Sequence, residues 1–202
     1  MFTLRNRHDF AVETLQEQGR LLLLGADLVF PEPQPGPLAG TAKRPKFVPL
    51  LERTWAVVGK LRSYLVSRLV TPLDHEDMLR IGLQMSSILK TMSVVAEMMD
   101  EQASPPWGAR LWAELHRVQA YLPNLIDGVL QRKADDGEFE AFHQDCAECK
   151  HTLAEARARN YGSGADPLIV LRRLDLYRVI DRLLTETRSL GRELQRVNLK
   201  NG

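Results

Sequence analysis

Thr71-Pro72-Leu73-Asp74-His75-Glu76-Asp77-Met78 joins two long apolar ladders, and its reading decides the fold. Upstream, Leu51, Trp55, Val58, Leu61, Leu65 and Leu69 recur every three or four residues. Downstream, Met78, Ile81, Met85, Ile88, Met92, Val95 and Met99 do the same. That period keeps apolar side chains on one face of a helix. Pro72 has no amide hydrogen and disfavours helix at Thr71, so the first helix ends there. Asp74 is placed to accept from the free amides of the next helix, with Asp77 three residues on in a near capping box. Leu73 and Met78 are spaced as a hydrophobic staple. So short a turn predicts an antiparallel hairpin from about Pro45 to Asp100.

The chain has 202 residues, 44% of them hydrophobic, which is ample for one core and unlike a disordered protein. We read residues 1–202 as a single domain, with residues 31–45 as a proline-rich linker inside it. Lysine plus arginine (27) nearly cancels aspartate plus glutamate (26), which argues against nucleic acid as a partner. The longest apolar run, around Leu21–Leu24, is too short to span a bilayer. The first residues, with Arg5, Arg7, His8 and Asp9, are not built like a signal peptide. Cys146 and Cys149 do not suggest a disulfide framework. The expected location is the cytoplasm, and any membrane role would be as a soluble partner.

Outward from the hairpin, a first helix is expected from about His8 to Leu28, burying Phe10, Leu15, Leu22 and Leu23. Ser104-Pro105 opens a fourth helix, serine as cap and proline in the first turn. Its seam is Leu111, Leu115, Val118, Leu122, Ile126 and Leu130, and Ala134-Asp135-Asp136-Gly137 breaks it. A fifth runs from Glu138 to Tyr161 with Phe139, Phe142, Cys146, Cys149 and Leu153 on one side, ended by Gly162-Ser163-Gly164. Asp166-Pro167 starts the last, whose seam is Leu176, Ile180, Leu183, Thr187, Leu190, Leu194 and Val197. No segment alternates as a strand would. The fold class is all-α: an antiparallel six-helix bundle in two three-helix halves, with self-association expected through the long apolar helices.

No phosphate loop, nucleophile elbow or catalytic carboxylate pair is visible, so an enzyme is not expected. The one cluster of ligand-type residues is His143-Gln144-Asp145-Cys146-Ala147-Glu148-Cys149-Lys150-His151. Helical spacing puts His143, Cys146 and Cys149 near one face and His151 away from it. Three readings stay open: cysteines packed in a core beside surface histidines, a zinc or iron site completed by another helix, or thiol redox chemistry. The methionine row Met78, Met85, Met92 and Met99 reads as core. Arg157, Arg159, Arg172 and Arg173 read as a solvated face, with a patch for phosphate or anionic lipid as the sharper alternative.

Several stretches resemble the Pit accessory branch of the PhoU-like proteins, helical-bundle partners of bacterial phosphate transporters. Val70-Thr71-Pro72-Leu73-Asp74-His75-Glu76-Asp77 is close to that family's V-T-P-x-D-R-E-D turn, with His75 where arginine is usual. Thr71, Pro72, Asp74, Glu76 and Asp77 are the matching positions. Asp166-Pro167 with Leu176-Tyr177, and the closing Leu199-Lys200-Asn201-Gly202, resemble two further landmarks. The resemblance implies clustered metal-binding carboxylates, and here the sequence departs from it. Glu52 and Asp181 remain as family acidic positions. Ala56 stands in the second helix, Ser86, Ser87 and Lys90 in the third, Cys146 and Lys150 in the fifth, and Thr185, Arg188 and Ser189 in the last. A lysine and an arginine at former ligand positions repel a cation, so no resident metal cluster of the family type is expected.

The resemblance therefore implies a non-catalytic regulatory protein that binds a phosphate permease at the cytoplasmic membrane face. The alternatives are a metal-binding bundle rebuilt around His143, Cys146 and Cys149, or an adaptor unrelated to phosphate.

Overall fold

Each apolar seam becomes the inner face of a helix. The computed structural model describes residues 9–30, 44–68, 71, 73–100, 108–161, 164 and 166–201. Among them there are six helices and no strand: α1 (Asp9–Val29), α2 (Arg44–Val66), α3 (His75–Asp100), α4 (Gly108–Leu130), α5 (Asp136–Tyr161) and α6 (Pro167–Asn201). Helices α1, α2 and α3 pack on one another, as do α4, α5 and α6, and the two triads meet along α1–α4 and α3–α6. One continuous apolar cluster draws side chains from all six helices. None of the described helices is long and apolar enough to cross a membrane.

The hairpin forms as its turn dictates. The Met78 amide donates to the Asp74 carbonyl at 3.0 Å, the first helical bond of α3, which makes Asp74 the cap residue. Leu73 and Met78 are both buried, the staple that fixes the entry angle. From Met78 to Val95 every residue of the α3 ladder is buried, and Met99 is half-buried. The α4, α5 and α6 seams are buried too, apart from the half-buried Leu130. At the start of α6, Asp166 Oδ1 accepts from the Leu168 amide at 2.7 Å ahead of Pro167. Gly164 sits at φ 61°, a left-handed position that suits glycine between α5 and α6.

The structure corrects four readings. Trp55 is 50% exposed, and Thr54 takes the inward place, a turn of about 100° from the expected face in this part of α2. Phe10 is exposed and leans on the Tyr64 ring at 4.9 Å, while Leu21 rather than Leu23 is fully buried in α1. Helix α5 begins at Asp136, because Asp135 Oδ1 caps it by accepting from the Glu138 amide at 2.8 Å. Pro45 lies inside the first turn of α2 rather than in the linker. The remainder of the linker, residues 31–43, and the Ser104-Pro105 start, Pro72 and Gly162-Ser163 lie outside the described residues.

Two buried glutamines hold the interior in register. Gln18 of α1 donates through Nε2 to Thr54 Oγ1 (3.2 Å), the Gly82 carbonyl (3.1 Å) and Ser86 Oγ (3.1 Å). Gln119 of α4 donates to Thr187 Oγ1 of α6 at 2.8 Å. A different device brings α5 against α6. A Cβ added to Gly191 would stand 2.2 Å from Phe142 Cε1, so glycine is what lets this aromatic ring lie on the α6 backbone.

Candidate functional site

Helical spacing assembles a cleft on the outer side of the α5–α6 seam. Cys146 and Lys150, one turn apart on α5, face Leu184, Thr185, Arg188, Ser189 and Arg192 on α6. Together they line an open space of about 360 Å³. The five residues expected, on the family resemblance, at former ligand positions of these two helices meet here. Among the described residues three cations line the cleft and no carboxylate does. Lys150 Nζ lies 3.8 Å from Asp181, which also holds Arg157 at 3.6 Å. Arg188 and Arg192 make no ion pair among the described residues. The Thr185 hydroxyl donates to the Asp181 carbonyl at 2.8 Å, whereas Ser189 makes no hydrogen bond among the described residues. Cys146 forms part of the floor. Burial pushes its thiol up to about 12, although the Arg188 charge pulls the other way, so it is a neutral, apolar surface at physiological pH.

His143, Cys146 and Cys149 fan out around α5. His143 Nε2 lies 3.3 Å from Gln195 Oε1 of α6, and its buried Nδ1 has no partner among the described residues. Cys149 is fully buried, with Glu114 and Arg117 of α4 as its charged neighbours, and burial drives its thiol up. Among the described residues no group of three histidine, cysteine, aspartate or glutamate side chains is arranged to hold a metal ion. Glu52 and Ala56 are exposed on α2, and Lys90 is exposed on α3. Ser86 is buried in the Gln18 network. Of the arginine group, Arg157 donates to the Tyr177 carbonyl at 2.9 Å and Arg159 pairs with Glu155 at 3.4 Å.

The turn motif and the end of α6 meet in a second polar assembly. Arg196 and Lys200, one turn apart, both bind Asp77, and Lys200 also binds Asp74. Arg196 reaches Glu193 at 2.8 Å, and Arg80 links Glu193 (3.2 Å) to Glu76 (2.5 Å). Asp77 is only 4% exposed. Burial pushes its carboxyl up, but hydrogen bonds from Arg196 and Lys200 and their charges outweigh this and hold it below its usual value. The Arg196 hydrogen bond likewise lowers Glu193 against its burial. Two residues before Lys200, the Asn198 side-chain amide donates to the Ala134 carbonyl in the α4–α5 turn at 3.1 Å. The last turns of α6 thus fasten the α2–α3 and α4–α5 turns at one end of the bundle. Thr71 closes its own turn by donating to the Leu73 carbonyl at 2.5 Å.

Sequence reasoning missed this clasp because it assigned Asp77 to a local cap. The signal available was a pair of acids, Asp74 and Asp77, matched by the basic pair Arg196 and Lys200 at helical spacing. It also missed Arg192, one turn beyond Arg188.

No protein-family model matches the sequence, and no curated protein matches it. Among solved structures, the crystal structure of a PhoU-like protein from Shewanella oneidensis MR-1 is similar, with a TM-score of 0.73 at 14% sequence identity. The likeness covers 94% of this chain and 99% of that one. The fold is PhoU-like.

Proposed function

We propose that this chain is a non-catalytic accessory protein of phosphate transport, acting by protein–protein binding on a phosphate permease at the cytoplasmic face of the membrane. One observation carries the reading. Two of the three stretches that resemble family landmarks, the Thr71–Asp77 turn and the closing residues of α6, are bonded to each other through Asp74, Asp77 and Lys200. A shared fold alone does not confer a shared task. A physically joined pair of distant motifs gives the resemblance a structural reason to occur as a set. The PhoU-like fold, end to end, supports the same reading.

The mode of action is presentation of rigid helix faces. The seams are used internally, which leaves the outer faces for a partner; Val48 and Trp55 on α2 and Leu83 on α3 are exposed there. The test is cross-linking in the native cells, purification of the chain, and identification of partners by mass spectrometry, paired with phosphate uptake in a deletion strain. Recovery of a permease and altered uptake is the expected result. Unchanged uptake with no transporter recovered would sink the reading.

A further inference from the structure

The α5–α6 cleft has a charge pattern that the fold does not need. On α6, Arg178, Arg182 and Arg196 each hold a carboxylate three or four residues away on their own helix. Arg188 and Arg192 do not; they stand one turn apart as a like-charged pair, an arrangement that destabilises a helix unless something neutralises it. Lys150 reaches the same cleft from α5, and its one ion-pair partner among the described residues, Asp181, is shared with Arg157.

We propose that this cleft binds a phosphoryl group, with Arg188, Arg192 and Lys150 supplying charge and Ser189 a hydroxyl donor. Two guanidinium forks present parallel N–H pairs suited to the oxygens of a phosphate, and Lys150 adds a mobile point charge. A carboxylate brings one negative charge on two oxygens, whereas a phosphoryl group brings up to two charges on three or more oxygens and so matches three cations more closely. Cys146 and Leu184 make the floor apolar, which strengthens attraction at its mouth relative to open water. The space of about 360 Å³ falls at the small end of ligand pockets, roughly 300–1,000 Å³, and exceeds what a bare phosphate ion fills. Inorganic phosphate, a soluble phosphate monoester and the headgroup of an anionic lipid share this chemistry.

The inference stands apart from the permease reading, since it is measured on the purified full chain alone. Calorimetric titration at constant ionic strength uses three probes: inorganic phosphate, glycerol 3-phosphate, and vesicles of phosphatidic acid in phosphatidylcholine. Chloride and phosphatidylcholine vesicles serve as blanks. At least one probe is expected to bind the native chain, and Arg188→Gln with Arg192→Gln to weaken it by about tenfold or more. Arg178→Gln, an exposed arginine of the same helix outside the cleft, should leave binding unchanged. Both substitutions are at exposed positions, so melting without ligand checks that the fold is kept. Soluble probes that bind, with loss in the double variant, support the site and assign a soluble ligand. Binding of phosphatidic acid vesicles alone, lost in the double variant, supports it with a lipid headgroup as the source. Failure of all three probes on the native chain, or equal binding by the double variant, overturns it.

Discussion

The two halves of the bundle solve one problem with different thoroughness. In each, a glutamine from the first helix reaches a hydroxyl of the third, Gln18 to Ser86 and Gln119 to Thr187, and both pairs are 68 residues apart. In each, the glutamine Oε1 is buried without a partner among the described residues. The first half goes further, because Gln18 also gathers Thr54 from α2 and so ties three helices at one point. Gln119 ties two, and α5 is instead held by an aromatic ring laid on the Gly191 backbone. What distinguishes the halves is how the middle helix is fixed: by a hydrogen bond in one and by close packing in the other. Packing at one level leaves the outer seam open, and there the cationic cleft lies.

The largest effect expected from breaking this contrast is at Gly191. Gly191→Ala forces a methyl into the Phe142 ring and should cost about 2–3 kcal/mol of stability, measured by urea unfolding. Phe142→Leu in the same background should recover part of the loss, since the obstacle is the ring. A neutral Gly191→Ala would mean that α5 is not held this way.

The glutamines give the direct comparison. Gln18→Ala removes bonds to three acceptors and should cost about 2 kcal/mol, against about 1 kcal/mol for Gln119→Ala. Equal losses in urea unfolding would show that the extra bonds to Thr54 and Gly82 contribute nothing net.

A smaller effect is expected at the clasp, which joins α6 of the second half to the hairpin of the first. Asp77→Asn should cost about 1–2 kcal/mol at neutral pH, a figure kept modest because Arg196 and Lys200 remain half-exposed. Asp77 and Glu193 both have folded-state values below their ordinary 3.8 and 4.5. In the window between the folded and unfolded values the unfolded chain binds more protons, so stability rises with pH there. The contribution is complete above about 4.5 and is lost as pH falls through the lowered folded values. Asp77→Asn should flatten that acid limb of the denaturation midpoint; an unchanged limb would remove Asp77 from the account.

What the sequence makes legible follows from range. The α3, α5 and α6 seams, the Asp166 cap and the burial of Leu73 and Met78 depend on neighbours within a turn or two, and the structure bears them out; Asp74 stands at the cap position of α3, but its carboxylate goes to Lys200 and not to a free amide of the helix. In α2 the upper ladder is misread because hydrophobicity alone favours Trp55 inward. Thr54 wins the position through a bond to Gln18, 36 residues away. Gly191 carries no local mark of its role; only Phe142, brought up from another helix, makes the missing side chain matter. The cleft is partly legible, since family register places Lys150, Thr185, Arg188 and Ser189 at equivalent positions. That they converge, and that Arg192 joins them, depends on the α5–α6 crossing. His143, Cys146 and Cys149 show the limit of helical spacing, which puts residues near one face without saying which neighbour each will meet.

The clasp has a consequence for the order in which the molecule becomes complete. Lys200 meets Asp74 across 126 residues and Arg196 meets Asp77 across 119, so each bond closes a loop of more than half the 202-residue chain. On the ribosome the hairpin is made long before α6 emerges, and its two acids must wait in water for their cations. The end of α6, where a helix ordinarily frays, is instead where both turns are fastened. The last turns of α6 thus act as a latch: they convert helices with an unneutralised acidic corner into a bundle in which the α2–α3 turn and the end of α6 hold each other.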